Sequence, residues 1–112
     1  MPSFSVPGTK IRLEYKEIVA RTGTNIPLLF VASEAKRSRG IVIKLADMLL
    51  WEMTPKPQAG DHPELAAQLS IPHLQKLMRN PDAFFAKEDD EVLLLSRANS
   101  PTTWDPNGKV LA

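Results

Sequence analysis

The spacing of apolar residues changes once along this 112-residue chain, near Leu45. Upstream, the stretch "KIRLEYKEIV" alternates Ile11, Leu13 and Tyr15 with charged residues, and a period of two is typical of a half-buried strand. The runs "IPLLFVASEA" and "IVIK" that follow are apolar and partly β-branched, which favours more buried strands. Downstream, apolar residues recur at helical spacing in "LADMLLWEM", which predicts a helix to about Met53.

Prolines divide the rest of the chain into short elements. Pro55 and Pro57 end the first helix, because proline lacks an amide hydrogen and clashes with the preceding turn. Asp61 comes three residues before Glu64, and this capping-box pattern predicts the start of a second helix. The run "EVLLLSR" after the acidic segment "KEDDE" predicts a strand, and a turn at Asn107-Gly108 would let the terminal "KVLA" pair back.

The order of these elements predicts an α+β fold. Three N-terminal strands joined by hairpins, three to four short helices in the middle and one or two C-terminal strands fit a small, mostly antiparallel sheet. One domain is expected over residues 1–112, since this length is close to the commonest domain size. Residues 1–9, with two prolines and a glycine, are expected to form an extended arm, and residues 98–112 a turn-rich tail.

The composition excludes several classes of site. The chain has no cysteine, which excludes disulfides, thiolate metal sites and cysteine nucleophiles. It has no clustered glycines that could cradle a phosphate and no Gly-x-Ser-x-Gly motif, and His62 and His73 are its only histidines. No apolar run is long enough to cross a bilayer, and the N-terminus does not have the pattern of a secretory signal. We therefore expect a cytoplasmic protein that is not an enzyme, holds no cofactor or metal and does not contact a membrane.

The net charge of +1 conceals a separation of charge along the chain. Residues 1–44 carry eight Lys or Arg against three Glu, whereas residues 45–112 carry six Lys or Arg against ten acidic residues. The basic half can steer an anionic partner, or the two halves can neutralise each other when they pack. The densest basic cluster is "KRSRG", with Lys36, Arg37 and Arg39, and it is predicted to form a hairpin turn. Such a turn can contact phosphates or an acidic protein surface, or it can simply be solvated.

The segment "ELAAQLSIPHLQKLMRN" predicts two short helices broken at Ser70-Ile71-Pro72. It resembles the general spelling of helix-turn-helix DNA-binding proteins, in which alanine and leucine precede a tight turn and an isoleucine, although Ser70 stands where glycine is usual. That resemblance implies a second helix whose outer side, with His73, Lys76 and Arg79, contacts phosphates or bases. A plain corner of two packed helices requires the same apolar stripe, so the sequence leaves both interpretations open.

A further apolar concentration lies in "LLWEM". Leu50, Trp51 and Met53 fall on more than one side of a short helix, and a small domain has few ways to bury all of them. A tryptophan beside methionine and leucine is typical of a protein-binding patch. The sequence therefore predicts a non-enzymatic binding module or assembly subunit. Its partner, another protein or a second copy of the chain, would bind this patch and the basic hairpin; a nucleic-acid-binding regulatory protein is the alternative.

Overall fold

The computed structural model describes residues 2–21 and 23–107, which form a five-stranded sheet and three α-helices. The strands are β1 (Ser3–Ser5), β2 (Arg12–Ile18), β3 (Asn25–Glu34), β4 (Arg37–Ala46) and β5 (Glu91–Leu95). The helices are α1 (Asp47–Glu52), α2 (His62–Leu77), which follows a 3₁₀ turn at Ala59–Asp61, and α3 (Pro81–Ala86). The strands lie in chain order, antiparallel except for the parallel pair β4 and β5. The predicted α+β fold with a mostly antiparallel sheet is confirmed.

The pleat of the sheet separates two faces. Side chains alternate across a strand, and one set from β3 and β4, including Leu28, Phe30, Ile41 and Ile43, is completely buried. This set packs against the buried sides of the three helices in one core. Burying one such side chain contributes about 1.5–3 kcal/mol. The alternate set points away from the core and forms what we call the outer face.

The N-terminal arm extends the sheet. β1 pairs with β2 so that Phe4 lies opposite Leu13, and both side chains are buried. Two prolines flank the short strand without interrupting it, since an edge strand tolerates proline at its ends. The Phe4 ring also meets Phe30 edge-on, with 6.2 Å between ring centroids, and the burial of so large a ring favours the pairing. The described residues of the N-terminal half therefore form four strands, one more than predicted.

The β3–β4 hairpin turns earlier than predicted. Pairing continues until Glu34 lies opposite Arg37, so Ala35 and Lys36 alone form the turn. Ala35 has a φ of 54°, the left-handed conformation that suits the twist of a two-residue hairpin. The prediction that "KRSRG" forms the turn is wrong, because Arg37 and Arg39 continue the alternation of β4 and face the side of the sheet that carries α3.

α2 is one continuous helix, so the predicted break at Ser70-Ile71-Pro72 is wrong. The Ser70 hydroxyl donates to the Ala67 carbonyl at 3.0 Å within the helix, and it does not cap a new one. Pro72 is exposed, and its fixed φ fits a helix, although it lacks an amide hydrogen. Buried leucines on both sides of Pro72 pack on the core, and together they outweigh the cost of about 3 kcal/mol for an internal proline. The two-helix geometry of a helix-turn-helix is therefore absent at this segment of the described chain.

The remaining elements are α3, β5 and the tail. α3 forms at "PDAFFA", where Asn80 Oδ1 accepts a hydrogen bond from the Ala83 amide at 3.3 Å. β5 forms at "EVLLL" but pairs in parallel with β4, because the helices carry the chain back across the sheet. The tail docks on the loop after α1, where the Trp104 Nε1–H donates to the Pro55 carbonyl at 2.7 Å. The predicted strand "KVLA" lies outside the described residues.

Candidate interaction surfaces

α1 holds the most exposed large apolar side chain in the described part of the chain. The helix begins at Asp47, whose Oδ2 accepts a hydrogen bond from Arg21 Nη2 at 2.5 Å. Leu49 faces the core, whereas Trp51 is 83 % exposed and Met48 is 57 % exposed. Residues three apart share one side of a helix. Met48 and Trp51 therefore form one apolar surface, which we call the α1 patch.

The structure separates the three residues predicted to contact a protein partner. Trp51 is exposed, Leu50 is half-buried against the core, and Met53 is buried with 4 % of its surface exposed. Met53 is thus corrected to a core residue, because α1 ends one residue earlier and an extended backbone returns the Met53 side chain to the interior. Met48 takes its place on the surface. Helical spacing from Trp51 was the signal that could have identified Met48.

A second apolar surface lies on the outer face. The strand register places Leu29, Val42 and Val92 in one row across β3, β4 and β5. Val92 is 54 % exposed, and Leu94 is also exposed two residues further along β5. This surface could not be predicted from the sequence, because the run "VLLL" does not show which of its residues face the core. The alternation becomes clear only from the pairing with β4.

Arg39 is buried, and its guanidinium contacts other residues of the same chain. Its side chain is 4 % exposed, and its guanidinium lies 4.7 Å from the centroid of the Phe84 ring. Nε donates to the Asp89 carbonyl at 2.8 Å, and Nη1 donates to the Phe84 carbonyl at 3.2 Å. Nη2 forms an ion pair with Glu91 at 3.1 Å. Arg39 thus ties β4 to the segment between α3 and β5, and its predicted role in nucleic-acid binding is corrected to a structural one.

Arg37 is neutralised by carboxylates of the same chain. Its guanidinium pairs with Asp82 at 2.5 Å and with Glu34 at 3.1 Å, and it lies 4.9 Å from the centroid of the Phe85 ring. The hydrogen bond to Asp82 raises the pKa of Arg37 above its already high usual value. Of the predicted basic cluster, Lys36 alone is exposed with no ion-pair partner among the described residues.

The three residues of α2 predicted to contact DNA face different surroundings. His73 Nε2 lies 3.1 Å from the Asn99 carbonyl oxygen, so His73 faces the tail. Lys76 and Arg79 are exposed and line an open groove of about 550 Å³ beside the loop at residues 7–9. No carboxylate is among the described residues that line this groove, so its charge is positive.

The surroundings of two further titratable groups lower their pKa values. Burial lowers the pKa of His62, since the imidazolium loses hydration. A hydrogen bond from Lys16 at 2.8 Å lowers the pKa of Glu14.

Within residues 2–21 and 23–107, no three His, Asp or Glu side chains lie together in a way that could hold a metal ion. Among the helices that the structure describes, none has both the length and the apolar character to span a bilayer.

Comparison with known proteins leaves the chain without a match. No protein-family model, curated protein or solved structure matches it. Three surfaces of the molecule are therefore the candidates for a function: the α1 patch, the outer face, and the groove beside Lys76.

Proposed function

We propose that this chain is a non-enzymatic binding module, a small subunit or adaptor of a protein assembly, which docks a protein partner through the α1 patch. The exposure of Trp51 carries the proposal. Tryptophan is enriched among the residues that dominate binding energy at protein interfaces, and an indole that is 83 % exposed presents most of its apolar area to water. Covering that area contributes about 25 cal/mol for each Å².

The surroundings of the α1 patch support the same proposal. Glu52 forms an ion pair with Arg97 at 2.7 Å, and Asp47 forms one with Arg21 at 2.5 Å. These charged pairs border α1 at both ends, and an apolar centre with a polar rim is the usual anatomy of an interface. The partner we expect presents an apolar pocket that accepts one indole ring.

Replacing Trp51 by serine is expected to weaken partner binding by about 30-fold or more, the effect of removing a hot-spot side chain. The thermal midpoint should stay nearly unchanged, because an exposed ring contributes little to the core. The tagged chain is used to purify the partner from its native cells, and isothermal titration calorimetry then measures the affinity of the purified pair.

Ile18→Ser is the matched control for this experiment. Ile18 is also apolar and 53 % exposed, but it belongs to β2 and not to the α1 patch. The control variant should bind the partner as the wild type does. A partner that binds Trp51→Ser as tightly as the wild type, or that is lost equally from both variants, would contradict the proposal.

The groove beside Lys76 favours a second candidate function, the binding of nucleic acid. Lys76 and Arg79 are exposed, and neither has an ion-pair partner in the part of the chain that the structure describes. Lys76→Glu is expected to weaken binding to duplex DNA and to reduce the salt dependence of log K by about one. Fluorescence anisotropy at several salt concentrations measures both effects. Lys56→Glu makes the same change of charge in the loop after α1 and is the control. Equal losses of affinity for duplex DNA in the two variants, or no binding of the wild type at low salt, would exclude this candidate.

A further inference from the structure

The outer face carries a row of apolar residues. The β4 residues that flank this row differ, because one is a glycine and the other is a lysine. Leu29, Val42 and Val92 form the row, one on each of three neighbouring strands. Along β4, Gly40 lies two residues before Val42, and Lys44 lies two residues after it. Each is therefore about 7 Å from the row, and all three β4 residues share the outer face because side chains alternate.

Asp90 supplies a negative charge at the Gly40 side of the row. A Cβ atom at Gly40 would collide with the Asp90 carboxylate, so this carboxylate lies over the β4 backbone where the strand has no side chain. Neither Asp90 nor Lys44 has an ion-pair partner among the described residues. The outer face thus has an uncompensated anion and an uncompensated cation on opposite sides of the row, at similar distances.

We propose that the outer faces of two copies of this chain pack against each other about a two-fold axis. The axis lies between the two faces, directly above Val42, and runs across the strands. This rotation places the apolar row on its own copy and exchanges the two sides. Lys44 of each copy then faces Asp90 of the other. A two-fold interface requires a self-complementary pattern of this kind, and two sheets commonly pack face to face with their strands about 30° apart.

The proposed contact goes beyond the proposed function, because it uses the outer face and not the α1 patch. It covers Val92 and Leu94, the two exposed apolar side chains of β5. Glu17 lies at the β2 end of the same row, about 10 Å from Val42. The two Glu17 carboxylates therefore face each other across the axis. Glu17 is exposed, so water and salt screen this repulsion, which weakens the contact without preventing it. We therefore expect a reversible dimer.

Sedimentation of the full chain from about 5 to about 500 μM tests the inference, since a small interface populates a dimer in this range. The wild type should shift from monomer to dimer. Val92→Asp should abolish the shift, because two carboxylates would meet near the axis. Ile18→Asp is the matched control. Ile18 is 53 % exposed against 54 % for Val92, but it lies opposite Leu28 on the core side of the sheet, so this variant should still dimerise.

A charge exchange tests the position of the axis. Lys44→Asp and Asp90→Lys should each raise the dissociation constant about tenfold, because each change places like charges together twice in the dimer. The double variant restores opposite charges, and its dissociation constant should return to within about threefold of the wild-type value. Circular dichroism of each variant verifies that it is folded.

Several results would overturn the inference. These are a chain that stays monomeric at the highest concentration, a dimer that survives Val92→Asp, and a double variant that associates no more tightly than the single ones. Trp51→Ser should leave the dimer intact, and a dimer that is lost with it would also overturn the inference. The partner titration with Trp51→Ser is a separate measurement, so the failure of the dimer leaves the proposed function standing.

Discussion

Arg39→Ala is expected to lower the free energy of unfolding by about 3 kcal/mol, because it removes a buried guanidinium and leaves the buried Phe84 carbonyl and the partly buried Glu91 carboxylate without this partner. The variant loses hydrogen bonds to the carbonyls of Asp89 and Phe84, at 2.8 and 3.2 Å, and an ion pair with Glu91 at 3.1 Å. It also loses the stacking of the guanidinium on the Phe84 ring. Urea unfolding followed by far-ultraviolet circular dichroism measures the change.

Arg37→Ala is the matched control, because it removes the same side chain from the same strand two residues earlier. The Arg37 partners include Asp82, whose side chain is almost fully exposed, so solvent already screens this pair. The loss should be much smaller than for Arg39→Ala. Arg39→Lys keeps the charge but not the planar fork, and it should recover only a minor part of the stability. Equal losses for Arg37→Ala and Arg39→Ala would show that Arg39 does not hold β5 against β4.

The position of Arg39 also affects the outer face. Arg39 binds the backbone of Asp89 and the side chain of Glu91, which lie on either side of Asp90 at the start of β5. It therefore fixes the part of the chain that places the Asp90 carboxylate over Gly40 and Val92 beside Val42. A buried arginine on the core side of the sheet thus organises the surface that we propose for self-association on the other side.

Local patterns predict those parts of the fold that have a clear period. The alternation around Leu13 is sufficient to predict β2, and the helical spacing after Leu45 predicts α1 to within one residue of its end. The predicted break at Ser70-Ile71-Pro72 is wrong. The local preferences of serine and proline against a helix cost less free energy than the burial of leucines on both sides contributes. The parallel pairing of β5 depends on the path of the whole helical segment, which no local pattern encodes.

The candidate surfaces were harder to predict, because exposure depends on which way an element faces. Lys36, Arg37 and Arg39 form one basic cluster in the sequence, yet one is exposed, one is paired and one is buried. Which of these states each residue adopts depends on where the hairpin turn begins. The turn begins at Ala35, one residue before the predicted start at Lys36, and it ends at Lys36. The sequence does predict an apolar surface at Trp51, because a short apolar helix between prolines has more large side chains than a small domain can bury.

Phe30→Ala is expected to lower the free energy of unfolding by about 3–5 kcal/mol, the usual cost of a phenylalanine truncated in a core. Phe30 is fully buried on β3, and its ring packs edge-on against Phe4 at 6.2 Å and against Tyr15 at 5.5 Å. Its removal leaves a cavity between the rings of β1 and β2. In a domain of this size the thermal midpoint should fall by more than about 10 °C, which calorimetry measures.

Val31→Ala tests whether this large effect belongs to one face of the sheet. Val31 is the next residue of β3 and lies on the outer face opposite Gly40, so its truncation opens no cavity in the core and should cost no more than about 1 kcal/mol. The comparison is made at low protein concentration, where self-association does not contribute to stability. If Val31→Ala cost as much as Phe30→Ala, the outer face would itself be packed, and the Val92 surface that we propose for dimerisation would not be open to a second copy.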